Sequence, residues 1–297
     1  MTSVADQAAP APGAAHDFIA LTKPRIISLL LVTTAAPMYI AGTPSLAMLV
    51  TVMIGGYLMA GGANAVNMYF DRDIDDVMTR TRLRPIPSGR MAPLAVLAFG
   101  VALATAATFL LGRFVNLLTA LLALGGFYFY VFIYTQWLKR SSPQNIVIGG
   151  AAGAFPPLVG WAAVTGSLNI TAAYLFLIVF YWTPPHFWAL ALNKQKDYGT
   201  AHVPMAPLVW GEAETKKQML WYSVVLVALT LLPLTFGAFS WIYGLSAALL
   251  GAKFLMDVIR VRNAVEYAKP AWRLYGYSLL YLALIFVVMV VDRRVLG

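Results

Sequence analysis

The sequence predicts an all-α, polytopic membrane protein with nine transmembrane helices, and three observations lead there. Hydrophobic residues occupy 60% of the 297 positions and charged residues 11%, too little polar surface to enclose a soluble core of this size. Apolar stretches long enough to cross the hydrocarbon layer as a helix, roughly 20 residues, recur along the whole chain. Lys and Arg gather on one side of those stretches, as they do where cations are retained in the cytoplasm.

Residues 1–16 are rich in Ala and Pro and contain no Lys or Arg. They lack the basic start of a signal peptide and the arginines of a transit peptide, so a disordered tail is expected over 1–20 and one transmembrane domain over 21–297. The first span, 26–42, enters after Lys23 and Arg25 and is short, with Pro37 near its end. The second, 46–66, runs into a stretch holding Arg72, Arg80, Arg82, Arg84 and Arg90. Spans 92–111 and 115–137 are separated by Arg113 and followed by Lys139 and Arg140. Spans 144–164 and 171–192 follow, the latter ending at Lys194 and Lys196. Span 218–238 enters after Lys216 and Lys217, 240–259 holds Lys253 and ends at Arg260 and Arg262, and 274–291 enters after Lys269 and Arg273.

With the N-terminus inside, only Arg113, Arg293 and Arg294 fall on the outer side. The net charge of +9 is thereby explained by topology anchors and a basic face toward anionic lipid, with no call for nucleic acid. The absence of cysteine excludes disulfides and thiolate metal sites. A bacterial plasma membrane is the simplest location, with the N-terminus and the acid-bearing loops cytoplasmic.

Acidic residues number only twelve, and they are unevenly placed. Asp71, Asp73, Asp75 and Asp76 follow the second span, and Asp197, Glu212 and Glu214 follow the sixth. Two like charges about 4 Å apart repel by roughly 4 kcal/mol at an effective dielectric near 20, so such a cluster calls for cations. Asn67, Asp71 and Asp75 recur every fourth residue and share one helical face; Asp73 and Asp76 point elsewhere and, with Glu212 and Glu214, read as solvated surface. Asn193 and Asp197 repeat the spacing at the matching end of the sixth span. Together these ends form an all-oxygen site suited to Mg2+, which keeps several waters and is commonly completed by substrate phosphates. Asp71, Asp75 and Asp197 are the expected metal ligands, with Asn67 and Asn193 completing or orienting the shell. Lys23, Arg25, Arg80, Arg84, Lys194 and Lys196 are the expected diphosphate-binding cations.

These motifs resemble those of the UbiA-type intramembrane prenyltransferases. The string NMYFDRDIDDVMTRTRLRP at 67–85 is similar to the branch of that family that farnesylates haem. So are LTKPR at 21–25, YTQWLKR at 134–140, NIVIGGAAGAFPPLVGWAAVTG at 145–166, WTPPHFWALAL at 182–192 and DYGTAHVPM at 197–205. The resemblance runs from about residue 20 to residue 211; beyond it the last three spans match mainly in hydropathy. It implies nine helices around a cavity open laterally to lipid, capped by the aspartate loops, with magnesium and farnesyl diphosphate beneath the cap. It also implies haem b as acceptor, a farnesyl carbocation attacked by a haem vinyl group and quenched by water, and delivery of the product to a haem O-modifying enzyme or oxidase assembly factors. The family's second motif usually carries two aspartates, whereas here the first position is Asn193, which weakens the case for one metal per motif.

Aromatic faces stabilise cations, and Tyr69, Phe70, Tyr181, Trp182, Phe187 and Trp188 are candidates beside the ordinary role of packing. His186, a polar ring in an apolar span, is a functional candidate by default. It lies roughly 10 Å deeper than Asn193 on the same stripe, a depth suited to haem, alongside Trp188 and the loop residue His202. The competing role is a hydrogen bond to a carbonyl freed by Pro184 and Pro185. Three other functions stay open: the same chemistry on a quinone precursor or chlorin, a secondary transporter with helices broken near 149–166 and 181–188, and a haem-binding assembly factor in which the aspartates are dispensable.

Overall fold

The computed structural model describes residues 13–295. Nine helices in it are long and apolar enough to cross a membrane, and the protein is a multi-pass membrane protein. They are α2 (Pro24–Ala41), α3 (Leu46–Phe70), α5 (Pro93–Phe114), α6 (Leu117–Ser141), α7 (Asn145–Thr165), α8 (Ile170–Asn193), α11 (Glu212–Thr235), α12 (Trp241–Asn263) and α13 (Ala268–Val295). Short helices α1 (Ala14–Thr22), α4 (Arg72–Val77), α9 (Gln195–Thr200) and α10 (Ala206–Val209) complete the chain. Each predicted span has its helix, and α2 continues through Pro37 to Ala41.

Residues 1–12 of the expected disordered tail lie outside the described residues, but Ala14–Thr22 form a helix. Asp17, buried, holds α1 in place, its two carboxylate oxygens sharing the one Arg90 Nε–H at 3.1 Å each. Leu21 is fully buried with Ala65, Met68 and Val96. An Ala- and Pro-rich tail is thus ordered over Ala14–Thr22 by contacts it makes after residue 60.

Each span packs on the next, and α13 returns to α2, so the helices close a ring. Inside it α2 crosses to α7 and α8 to α13. Lipid supplies no hydrophobic drive between helices, so close approach rests on small residues. At the α3–α5 crossing a methyl group on Gly62 would stand 2.6 Å from the Gly100 carbonyl oxygen. At the α2–α7 crossing one on Gly160 would stand 1.9 Å from that of Thr34. Neither backbone can yield without moving a helix, and Gly160→Ala is expected to cost about 1–3 kcal/mol by overpacking. The midpoint of thermal unfolding in detergent reads this; an unchanged midpoint would mean the crossing is looser than described.

Alternation through nine spans brings 71–92, 142–144, 194–211 and 264–267 to one end of the ring. The candidate residues of both motifs therefore share that end.

Candidate functional site

Helix α3 stops at Phe70 because Asp71 leaves helical geometry (φ −86°, ψ 5°), and α4 restarts at Arg72. The backbone bonds nevertheless keep the four-residue rhythm, Asp71 N–H donating to the Asn67 carbonyl and Asp75 N–H to that of Asp71. The shared face survives the break: Asn67, Asp71 and Asp75 are 3%, 1% and 2% exposed, while Asp73 and Asp76 point outward. Asp73 binds Arg140 through both oxygens at 2.7 Å, and that bond pulls its carboxyl down to about 2.

Cations converge on the buried face. Lys139 Nζ donates to Asp71 Oδ2 at 2.5 Å, Arg84 Nη1 to Asp75 Oδ2 at 2.6 Å, and Lys23 Nζ to Asn67 Oδ1 at 3.1 Å. Asn67 Nδ2 donates to Asp71 Oδ2 at 2.6 Å and to Thr135 Oγ1 at 3.0 Å. Lys23 sits between α1 and α2 in the left-handed region at φ 56°, a strained conformation for a side-chain-bearing residue that surrounding contacts must enforce. Burial holds its amine well below the ordinary lysine range; Arg84 and Lys139 add to this, and Asp71 and Asp75 oppose it.

Helix α6 supplies what the sequence did not reveal. From Phe129 to Leu138 it is π-helical, a rare form that recurs at functional sites. Thr135 shows the wider turn: its hydroxyl donates to the carbonyl of Tyr130, five residues back, and its oxygen accepts from Asn67. The same segment brings Lys139 onto Asp71. It also places Tyr134, stacked on Tyr130 at 5.6 Å, within electrostatic reach of both Asp71 and Tyr198. Gly149 of α7 leaves the space that the Tyr134 ring fills, since a methyl there would stand 2.4 Å from it. Lys139 looked like a topology anchor, because a span-end lysine carries no other signal in the sequence.

The second motif is less enclosed. Asn193 Nδ2 donates to the Ala189 carbonyl at 3.3 Å, and Asp197 is half-buried with no ion pair among the described residues. Between them Gln195 Nε2 donates to Glu212 Oε1 at 2.8 Å and to Tyr267 Oη at 2.9 Å. The Tyr267 hydroxyl in turn donates to Glu212, so Glu212, expected to be plain surface, ties the loop to α11 and to the segment before α13. Burial and Glu212 together push the Tyr267 phenol up to about 12. Burial raises the Tyr198 phenol, Asp197 and Tyr275 add to the rise, and Arg80 and Arg84 oppose it.

The expected metal set of Asp71, Asp75 and Asp197 is not gathered: among the described residues no three His, Asp or Glu side chains converge on one point. Asp71 takes Lys139 and, at 3.9 Å, Arg140 as counterions instead, and Asp75 takes Arg84. Magnesium still fits the first motif, because Asp71 Oδ1 is buried without a hydrogen-bond partner and the donors are all hard oxygens. Of the expected diphosphate cations, Lys23 and Arg84 reach the site, Arg80 acts on it through space, and Lys194 lies over the Trp272 ring at 5.9 Å. Arg25 and Lys196 are exposed, and no contact brings them to the carboxylates.

His186 is buried, and its Nδ1 lies 2.6 Å from Ser278 Oγ of α13 rather than near a carbonyl freed by a proline. Trp188 is fully buried, packed edge-on against Trp210 and Tyr222, with its indole nitrogen sealed and unpartnered. It is a packing residue, and the expected contact with haem is not available to it. His202 occupies a turn at φ 52° after α9 and makes no side-chain bond among the described residues.

The profile of the UbiA prenyltransferase family matches residues 29–290. The chain is 56% identical, over 96% of its length, to a protoheme IX farnesyltransferase of Roseiflexus sp. (strain RS-1), covering 53% of that protein. It is 56% identical over 95% of its length to that of Chloroflexus aurantiacus, covering 48%. The chain thus spans about half the length of these curated relatives. It covers 94% of the protoheme IX farnesyltransferase of Symbiobacterium thermophilum, at 53% identity over 93% of this chain. Among solved structures, digeranylgeranylglyceryl phosphate synthase superposes with a TM-score of 0.77 at 17% identity, over 94% of this chain and 98% of that one. A UbiA homolog from Archaeoglobus fulgidus bound to DMAPP and Mg2+ gives 0.62 at 14%, over 91% of this chain and 99% of that one.

Proposed function

Because the chain belongs to the UbiA prenyltransferase family, we propose that it transfers a farnesyl group from farnesyl diphosphate to a vinyl group of haem b. Water is added in the same reaction, and the products are haem O and diphosphate. The observation that carries the transfer is the buried Asn67–Asp71–Asp75 face with an unpartnered carboxylate oxygen and three converging cations. The acceptor is taken from the relatives called protoheme IX farnesyltransferases, one of which this chain matches nearly end to end.

The bond between farnesyl C1 and the diphosphate oxygen breaks with its electron pair leaving on oxygen. A vinyl carbon of haem supplies the pair for the new carbon–carbon bond, and water adds to the neighbouring carbon and gives up a proton. Magnesium, when bound, neutralises the charge that builds on the departing diphosphate. Asp71 and Asp75 would hold it, with Asn67 orienting the shell, and Asn193 and Asp197 extend the site from the second loop. Lys23, Arg84, Arg80 and Lys139 offer donors to the phosphate oxygens. The surrounding apolar helices keep bulk water from the allylic cation until the carbon–carbon bond has formed. The cationic loops support a cytoplasmic position for this end of the ring, at a bacterial plasma membrane, by the positive-inside rule. The product suits a haem O-modifying enzyme or the assembly of haem-copper oxidases.

Purified protein in detergent, given haem b, farnesyl diphosphate and magnesium, should raise the porphyrin mass by a farnesyl group plus water and release diphosphate in equal amount. Unchanged haem, together with prenylation of a quinone precursor, would replace the acceptor and keep the transfer chemistry. No magnesium-dependent diphosphate release with any acceptor would end the proposal.

A further inference from the structure

His186 is enclosed in a way that leaves one part of its ring available. Trp182 stacks on one side at 4.3 Å and 18°, Tyr275 stacks at 4.6 Å and 22°, and Phe187 meets it edge-on at 5.0 Å. With the faces covered, only the in-plane nitrogens remain to do chemistry. No acid touches the ring among the described residues, so a buried imidazolium would have no counterion.

The protonation of the neutral ring follows from a hydrogen count at Ser278. A serine hydroxyl has one proton to give, and Ser278 Oγ gives it to the Tyr275 carbonyl at 2.7 Å. With the proton so placed, the hydroxyl accepts at its 2.6 Å contact with His186 Nδ1, an arrangement that matches a ring carrying its proton on Nδ1 and its lone pair on Nε2. Nε2 makes no hydrogen bond among the described residues, and unlike the indole nitrogens of Trp161 and Trp188 it is not sealed off by its neighbours. Ser278 also fixes the stacking partner, since its carbonyl accepts from Trp182 Nε1 at 2.7 Å. One residue of α13 thus meets both the Nδ1 of His186 and the ring stacked against it.

We infer that Ser278 is a positioning residue that holds His186 as its Nδ1–H tautomer, so that Nε2 ligates the iron of the haem acceptor. The inference rests on haem being the acceptor, as proposed above. A ligating histidine characteristically donates its second nitrogen to a fixed partner, which orients the ring and sets which nitrogen meets the metal. The location agrees: His186 lies roughly 10 Å below Asn193 along α8, stacked on Tyr275 of α13. Iron held here would tether the macrocycle beneath the diphosphate groups, turning the encounter of vinyl group and C1 into an oriented one.

The test is a haem titration of the detergent-purified protein, read by the Soret band and by electron paramagnetic resonance of the ferric form, with farnesyl diphosphate binding measured in parallel. Wild type should give the spectrum of a histidine-ligated haem, and His186→Gly should lose it and regain it on adding free imidazole. Ser278→Ala should weaken haem binding by about 10–100-fold, the usual effect of removing a partner behind a metal ligand. Ser278→Thr, which keeps the hydroxyl, should stay within a few-fold of wild type, and all variants should bind farnesyl diphosphate with magnesium as wild type does. An unchanged spectrum and affinity in His186→Gly would overturn the inference and leave haem as acceptor. Equal haem affinity in Ser278→Ala and wild type would overturn the role of Ser278. Wild type that binds no haem while prenylating another acceptor would instead remove the reading on which the inference stands.

Discussion

An Asp71→Asn variant is expected to release diphosphate at least about a thousandfold more slowly than the unmodified protein at saturating magnesium, the scale of loss when charge stabilisation at a reacting centre is removed. Asp71 is where the burial, the break between α3 and α4 and the cations meet, and its Oδ1 is buried without a hydrogen bond, 3.9 Å from Arg140 Nη2. The substitution keeps the shape of the side chain and removes its charge. It also leaves Lys139 facing a neutral amide in a buried setting, so some stability will be lost with the activity. Asp71→Asn combined with Lys139→Met separates the two effects, because a buried ion pair replaced on both sides costs far less than one broken on a single side. The double variant should recover thermal stability and stay inactive; recovery of turnover would show that Asp71 acts only as a counterion.

Lys139→Met alone carries the second large effect, and its sign depends on magnesium. Without the metal, Asp71 loses its short ion pair and remains buried, a loss of about 3 kcal/mol or more. Magnesium restores the missing charge, so the variant should gain more thermal stability from added magnesium than the unmodified protein does. Turnover should nevertheless fall by about a hundredfold, as when one donor to a developing negative charge is deleted, because the amine is no longer present to meet the diphosphate. Thermal unfolding with and without magnesium, beside single-turnover diphosphate release, checks both parts. Equal gains from magnesium in the two proteins would show that Lys139 and the metal do not share Asp71.

The nine spans and the inward face of the first motif were legible in the sequence, each for a local reason. Spans are set by length and hydropathy over some 20 residues, and the Asn67, Asp71, Asp75 face follows from helical spacing, which outlives the break at Asp71. What was hidden depends on partners distant in sequence. Lys139 meets Asp71 across 68 residues, directly after a π-helical segment, FYVFIYTQWL, whose largely aromatic and aliphatic residues give no periodicity to betray the wider turn. Helix α1 is held by Arg90, 73 residues away, a contact that a stretch read alone as an Ala- and Pro-rich disordered tail could not show. Trp188, named as a candidate beside His186, packs against Trp210 and Tyr222, which the sequence could not show because a helix with two prolines and many aromatics has no readable inside. Lys23 was chosen for its charge; the left-handed backbone that aims it has no mark in its neighbours.

The closure of the ring has a bearing on how the protein is made. Helix α2 is among the first segments to reach the membrane, yet one of its flanks is completed only by α13, and the two ends of that seam are tied by Arg294 to Thr43, 251 residues apart. Throughout synthesis α2 must wait with that flank against lipid or against the insertion machinery. Ser278 and Tyr275, which enclose His186, arrive on the same late helix. The ribosome therefore delivers both carboxylate loops well before the deep part of the site exists, and a chain stalled before α13 would display diphosphate ligands above an interior still open on one side.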